Sequence, residues 1–260
     1  MSNIKLAFEK KKLEGKKAFI PFVTAGDPNL EATEQFIYAL EKGGSTLIEI
    51  GIPFSDPVAD GPVIQAANLR AMENDIHVNN VFDMVAKIRK NTQIPLVFLM
   101  YANTIYHYGI ADFFKRCQEV GLDGVIIADL PCEEKEEFDA YARDLDIDLI
   151  ALVAPTSRAR TEKICETARG FLYCVSSLGV TGMRSQIETD FGEMFETIKK
   201  YSKIPTALGF GISNAEQAAV LKDYADGIII GSAVVRIIEE KGVEAAPALE
   251  AFARSVVDVL

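Results

Sequence analysis

Eight short runs rich in β-branched residues recur along the chain at intervals of about 30 residues, each followed by a stretch of helical periodicity. The runs are Ala18–Thr24, Thr46–Gly51, Pro95–Tyr101, Gly124–Asp129, Asp148–Ala154, Phe171–Ser177, Pro205–Gly209 and Gly227–Gly231. Strands alternating with helices build a parallel sheet covered by helices. Eight such units within 260 residues predict an α/β fold, a single (β/α)8 TIM barrel, which typically takes about 250 residues. The leading stretch Met1–Lys17 is left over as an extra, short amphipathic N-terminal helix. No Pro/Gly/Ser linker or shift in composition divides the chain, so residues 1–260 are expected to form one domain. Asp123-Gly124-Val125-Ile126-Ile127-Ala128 recurs as Asp226-Gly227-Ile228-Ile229-Ile230-Gly231, one as the fourth strand and one as the eighth. That is where half-barrel symmetry would place a repeat, although the same letters also make an ordinary turn into a strand.

Composition narrows the partners. With 27 basic and 38 acidic side chains the net charge is −11, which argues against nucleic-acid binding. A hydrophobic content of 49% suits a soluble globular protein with a sizeable core. No apolar run approaches the roughly 18 residues of a membrane span. Met1–Lys17 is rich in lysine but contains Glu9 and Glu14 and lacks an apolar segment, unlike a targeting peptide. Cys117, Cys132, Cys165 and Cys174 form no C-x-x-C pair and are read as reduced, buried thiols in a cytoplasmic protein. The run Glu133-Glu134-Lys135-Glu136-Glu137 reads as the solvated face of the fourth helix.

A barrel of this kind places its site at the C-terminal ends of the strands. Three glycine-rich loops, Gly179-Val180-Thr181-Gly182, Gly209 to Asn214 and Gly231-Ser232-Ala233, fall after the sixth, seventh and eighth strands. Glycine lets a ligand approach the backbone, and a helix starting at once presents unpaired N–H groups and a positive dipole end, which together suit a phosphate. Tight βα turns are the plainer reading of the same glycines. Ser213-x-x-Glu216 is a capping box for the seventh helix, and Ser232 adds a hydroxyl at the eighth.

In Leu47-Ile48-Glu49-Ile50-Gly51 the alternation of a strand sends Ile48 and Ile50 under the helices and Glu49 into the barrel mouth. Burial there would raise its pKa toward the range a general acid/base needs; a structural ion pair is the other reading, but no Lys or Arg lies at a neighbouring strand end. Asp60, on the long second loop, is either a second functional carboxylate or a turn or cap residue. No strand ends in Lys, so a Schiff-base mechanism is not expected. His77 and His107 have no metal-ligand spacing, so no metal site is expected. Cys132 and Cys174 lie near strand ends without a histidine. What is left is carboxylate acid/base chemistry on a phosphorylated small molecule, with Phe22, Leu99, Tyr101, Ile127 and Tyr173 placed to line a pocket for a flat ring.

The stretch from Leu47 to Pro62, containing Ile52-Pro53-Phe54-Ser55-Asp56-Pro57-Val58-Ala59-Asp60-Gly61, closely resembles the signature of the tryptophan synthase α-subunit family. Phe19 to Pro28, Met100 to Asn103, Gly179 to Gly182, Gly209 to Ser213 and Gly231 to Val234 fit the same family in order, so the resemblance covers essentially the whole chain. It implies retro-aldol cleavage of indole-3-glycerol phosphate to indole and glyceraldehyde 3-phosphate. Glu49 matches the general acid/base and Asp60 the carboxylate that accepts the indole N–H. Phe22, Leu99 and Tyr173 match the substrate pocket, Thr181 a lid residue, and Gly182, Gly211, Gly231 and Ser232 the phosphate site. The resemblance also implies an αββα complex with a β subunit that carries pyridoxal phosphate, contacted through the loop of Pro53 and Asp56, with no cofactor in this chain. A free-standing lyase that releases indole uses the same residues and is the alternative. Two departures stand out: Ser177-Leu178 replaces an Arg-Ala of some members, and Asn74-Asp75 replaces a glycine after the helix that follows Asp60. Asn suits the left-handed conformation such a helix end needs.

Overall fold

The computed structural model describes residues 2–175, 191–209 and 211–260. Among these, eight parallel strands close into a barrel in sequence order: β1 Ala18–Thr24, β2 Ile48–Gly51, β3 Leu96–Met100, β4 Gly124–Ile127, β5 Asp148–Val153, β6 Leu172–Val175, β7 Thr206–Gly209 and β8 Gly227–Ile230. Every expected run holds a strand, trimmed by one or two residues at several ends. The register places Phe22 beside Glu49, Glu49 beside Val97, and Gly51 beside Leu99.

Strand alternation sorts the core into two bodies. Ile48, Ile50, Phe98, Val125, Ile127, Leu172, Leu208 and Ile228 face outward under the helices, whereas Ile20, Leu47, Val97, Ile126, Ile150, Tyr173, Ala207 and Ile229 fill the barrel. The helix layer is less regular than one helix per strand. Pro62–Met72 and Val78–Ile88 both follow β2, Ala102–Tyr108 and Ile110–Val120 both follow β3, and a 3-10 turn, Pro155–Arg160, separates β5 from Thr161–Thr167.

The N-terminal helix Asn3–Leu13 closes the bottom of the barrel with Ile4 and Phe8, both buried against Ala18, Val97 and Phe171. This explains the internal repeat. A Cβ on Gly124 would lie 2.8 Å from Asp148 O and 3.1 Å from Ile4 Cδ1, and one on Gly227 3.0 Å from Ala18 Cβ and 3.1 Å from Phe8 Cε1, so both glycines make room for the neighbouring strands and for the plug. Each preceding aspartate grips the first residue of the strand next door: the Asp123 carboxylate accepts from Leu96 N at 2.9 Å and Asp226 accepts from Thr206 N at 2.9 Å. Because Phe8 is 4% exposed and stacks on Phe171 at 5.6 Å, Phe8→Ala is expected to cost about 3–5 kcal/mol in urea unfolding; a change below ~1 kcal/mol would refute the plug.

Some expectations need correction. Glu133, Glu134, Glu136 and Glu137 are exposed, but Lys135 is buried and its ammonium donates to Thr167 O at 2.8 Å. Cys132 is only half-buried, the other three cysteines being buried as expected. After Pro62–Met72 the left-handed residue is Asp75 (φ 54°), and Asn74 instead donates its amide to Pro28 O at 2.7 Å. A charged side chain cannot replace those donors, so the neighbour takes the strained backbone. No helix among the described residues is long and apolar enough to cross a membrane.

Candidate active site

β2 delivers Glu49 to the barrel interior, as its parity with Leu47 requires. The side chain is 1% exposed and its Oε1 has no hydrogen-bond partner. Burial alone pushes the carboxyl up to about 8, so it is neutral at pH 7. An unpaired polar atom inside a packed barrel is costly to the fold and is typical of a group kept for a ligand.

Asp60 closes the loop that begins after Gly51. It does not cap the following helix: Gly61 occupies that position, with no side-chain cap bond. Its carboxylate instead turns inward, 8% exposed, where Asn68 Nδ2 donates to Oδ2 at 3.4 Å and the Tyr101 hydroxyl donates to the same carboxylate. Burial raises Asp60 and these two donors pull it part of the way back, leaving it at about 6, so it is ionised at pH 7. Burial of Tyr173 on β6, with smaller contributions from Glu49 and Asp60, raises its phenol well above the ordinary range. The three groups therefore face one space.

Two glycines open that space. A Cβ on Gly51 would lie 2.4 Å from the Phe22 ring, and one on Gly209 would lie 2.8 Å from Tyr173 Oη. Phe22 packs with Val63, Ile64, Ala67 and Val235, and half-buried Leu99 touches the same cluster. These give the site an apolar wall. Arg70 braces it from outside, donating to buried Asp27 through Nε at 2.9 Å and Nη2 at 2.8 Å and to Glu239 at 3.1 Å; it thus clamps the helix after Asp60 to the helix after β8.

At the β8 end, helix Ser232–Lys241 begins directly after the strand, with Gly231 as its N-cap and no side-chain cap bond. Gly231 and Ser232 are half-buried, so the first-turn N–H groups face the mouth side of the barrel. Gly211 stands after β7 at φ 82°, a conformation that favours glycine. The expected capping box is displaced by one residue: Asn214 Oδ1 accepts from Gln217 N at 2.8 Å, and Gln217 Oε1 accepts from Ser213 N at 2.8 Å. The side chain of Glu216 takes no part in it.

Of the ring-pocket residues read from the sequence, Phe22, Leu99 and Tyr173 converge with Glu49 and Asp60. Ile127 does not: its parity is that of Val125, and it faces outward under the helices, leaving Ile126 inside. Tyr101 stands at the site, but its ring stacks on Phe54 (4.8 Å, 21°) and its hydroxyl is engaged with the second loop. Pro53 is half-buried and Asp56 exposed on that loop, whose Val58 is 76% exposed. Thr181 and Gly182, and with them Ser177-Leu178, lie outside the described residues. Asn68 was missed from the sequence. The signal was available, since it is a polar residue within the buried stripe Ile64, Ala67, Asn68, Ala71 of its helix. Among the described residues no group of His, Cys, Asp or Glu is placed to hold a metal.

The family model for the tryptophan synthase alpha chain matches residues 8–258. The tryptophan synthase alpha chain of Thermoanaerobacter sp. (strain X514) is 50% identical over 238 residues, which is 92% of this chain and 91% of that protein. Among solved structures, tryptophan synthase subunit alpha of Legionella pneumophila superposes with a TM-score of 0.89 at 34% identity, covering 100% of this chain and 98% of the other. A chain of the tryptophan synthase α2β2 complex of Pyrococcus furiosus superposes with a TM-score of 0.84 at 34% identity, covering 94% and 99%. With a match over nearly its whole length in sequence and in fold, the chain belongs to the tryptophan synthase alpha chain family.

Proposed function

We propose that this chain, one barrel domain spanning 1–260, cleaves indole-3-glycerol phosphate to indole and glyceraldehyde 3-phosphate as the α subunit of tryptophan synthase. The observation that carries this reading is a pair of buried carboxyls in opposite charge states at pH 7, Glu49 neutral and Asp60 ionised. The neutral Glu49 gives its proton to indole C3. Asp60 accepts the indole N–H and stabilises the positive charge that protonation creates on the ring. Glu49, now a carboxylate, takes the proton of the glycerol hydroxyl as the C–C bond breaks. The bonding pair returns to the ring, indole leaves, the former carbinol becomes the aldehyde, and Glu49 is again protonated. Phe22, Leu99 and Tyr173 form the ring pocket. Gly182, Gly211, Gly231 and Ser232 hold the phosphate, and Thr181 is the lid residue of the sixth loop.

In this reading pyridoxal phosphate belongs to the β subunit, and the strand ends described here offer no lysine for it. Pro53 and Asp56, on the exposed second loop, are the proposed contact with that subunit. A cytoplasmic setting fits the four free thiols.

The acidities give a bell-shaped profile. kcat/KM is expected to rise as Asp60 ionises near pH 6 and to fall as Glu49 ionises near pH 8; a flat profile between pH 5 and 9 would contradict the assignment. The direct test is indole release from indole-3-glycerol phosphate by the purified chain, with and without a β subunit and with no added metal. Slow release that rises sharply with the partner supports the α-subunit reading. Fast release by the chain alone favours a free-standing lyase, and no release in either case leaves only a phosphate-binding barrel.

A further inference from the structure

One side chain touches the second loop at three places. The Tyr101 hydroxyl accepts from Ala59 N at 3.0 Å and donates to the Asp60 carboxylate, and its ring stacks on Phe54 with centroids 4.8 Å apart. Tyr101 itself is 4% exposed and is fixed from below: it directly follows β3 as the N-cap of helix Ala102–Tyr108, and the Asp129 carboxylate beyond β4 accepts from Ala102 N at 2.9 Å. Between these anchors Ser55, Asp56 and Val58 are exposed. The loop thus has an exposed outer edge and an inner edge held along its length by Tyr101, while its two ends are tied separately, Ile52 N donating to Leu99 O at 2.9 Å and Gln65 Nε2 to Asp60 O at 2.8 Å.

We propose that Tyr101 is a positioning residue that ties Asp60 to the Pro53–Ala59 segment, its hydroxyl holding the carboxylate and its ring holding Phe54, so that the seating of this segment sets where the carboxylate points. The inference rests on the reading of Asp60 given above and adds the route by which contact at the loop's outer edge reaches the reacting atoms. A ring stack is sensitive to displacement of either partner. A shift of Phe54 moves the Tyr101 plane, and with it a hydroxyl donor on Asp60; a second donor, Asn68, is long at 3.4 Å. Tyr173 on β6, which does not belong to the loop, interacts with Asp60 and with Glu49 on β2.

The test compares the wild-type chain, Tyr101→Phe and Phe54→Leu, each alone and with a β subunit, by kcat, KM and the pH profile of indole release. Tyr101→Phe is expected to lower kcat by about 10- to 100-fold, the scale of one hydrogen bond to a charged group, with KM within about twofold. Its acid limb moves to higher pH, because a donor that favours the ionised carboxylate is gone. Phe54→Leu keeps the hydroxyl and is expected to lose most of the partner's activation. A Tyr101→Phe chain with the wild-type acid limb overturns the proposal whatever its kcat, since a purely structural role would leave that limb in place. If Tyr101→Phe does not fold, Phe54→Leu decides: activation within twofold of wild type overturns the coupling. A wild-type chain that releases no indole defeats the functional reading instead, and the two failures are thereby told apart.

Discussion

Glu49→Gln is expected to lower indole release by three to four orders of magnitude while making the folded chain more stable at neutral pH. The activity loss follows from removing a group that both gives and takes a proton, the upper part of the range for general acid–base catalysis, about 10²–10⁴-fold. The stability gain follows from linkage. Burial raises Glu49 from an ordinary 4.5 to about 8, so the folded state holds a proton that the unfolded state has released. Stability tied to this group is therefore complete below pH 4.5 and is lost as pH rises toward 8. Glutamine has no proton to release, so the variant escapes a penalty of about 3 kcal/mol at pH 7, and the difference vanishes near pH 4. Urea unfolding of both proteins at pH 4 and pH 7 reads this directly. Equal stabilities at both values would mean that Glu49 is ionised in the fold, and retained turnover would end its role as the acid/base.

Asp60→Asn carries the second large effect. An amide cannot offer the negative charge that a protonated indole ring requires, and losing one preorganised electrostatic partner costs about 10²–10³ in kcat. Since the proposed phosphate-binding loops follow β6, β7 and β8 and do not include Asp60, KM is expected to change little. The limb of the pH profile near 6 should disappear with the group that causes it, leaving the limb near 8 from Glu49. A normal rate would return Asp60 to the role of a turn residue, and a surviving limb near 6 would assign that titration elsewhere.

The site was legible in part. Glu49 could be placed from five letters, because in Leu47-Ile48-Glu49-Ile50-Gly51 alternation leaves one inward position for a polar group. The Asp123-Gly124 and Asp226-Gly227 repeat was visible, but its meaning was not: only the closed barrel shows that the neighbouring strands, through Asp148 O and Val97 or through Ala18, and the plug of Ile4 and Phe8 together leave no room for a side chain. Ile127 was misplaced because its neighbour Ile126 has the same chemistry, and hydrophobicity alone cannot choose the face of a strand that is apolar on both sides. The capping box slipped by one residue because Ser213 and Asn214 are both good caps by composition, and the helix takes Asn214, at φ −155°, whose side chain accepts from Gln217 N.

The sequence by itself determined the barrel, its strand order and the depth at which Glu49 sits, since period-2 and helical patterns encode which face of each element is buried. Only the tertiary structure decided how acidic the two carboxyls are, which residues hold Asp60, and that Tyr101 is engaged by Phe54, Ala59 and Asp60 at once. Those properties arise from desolvation and from donors on different strands and helices. A linear pattern cannot report distances between segments that meet only when the barrel closes.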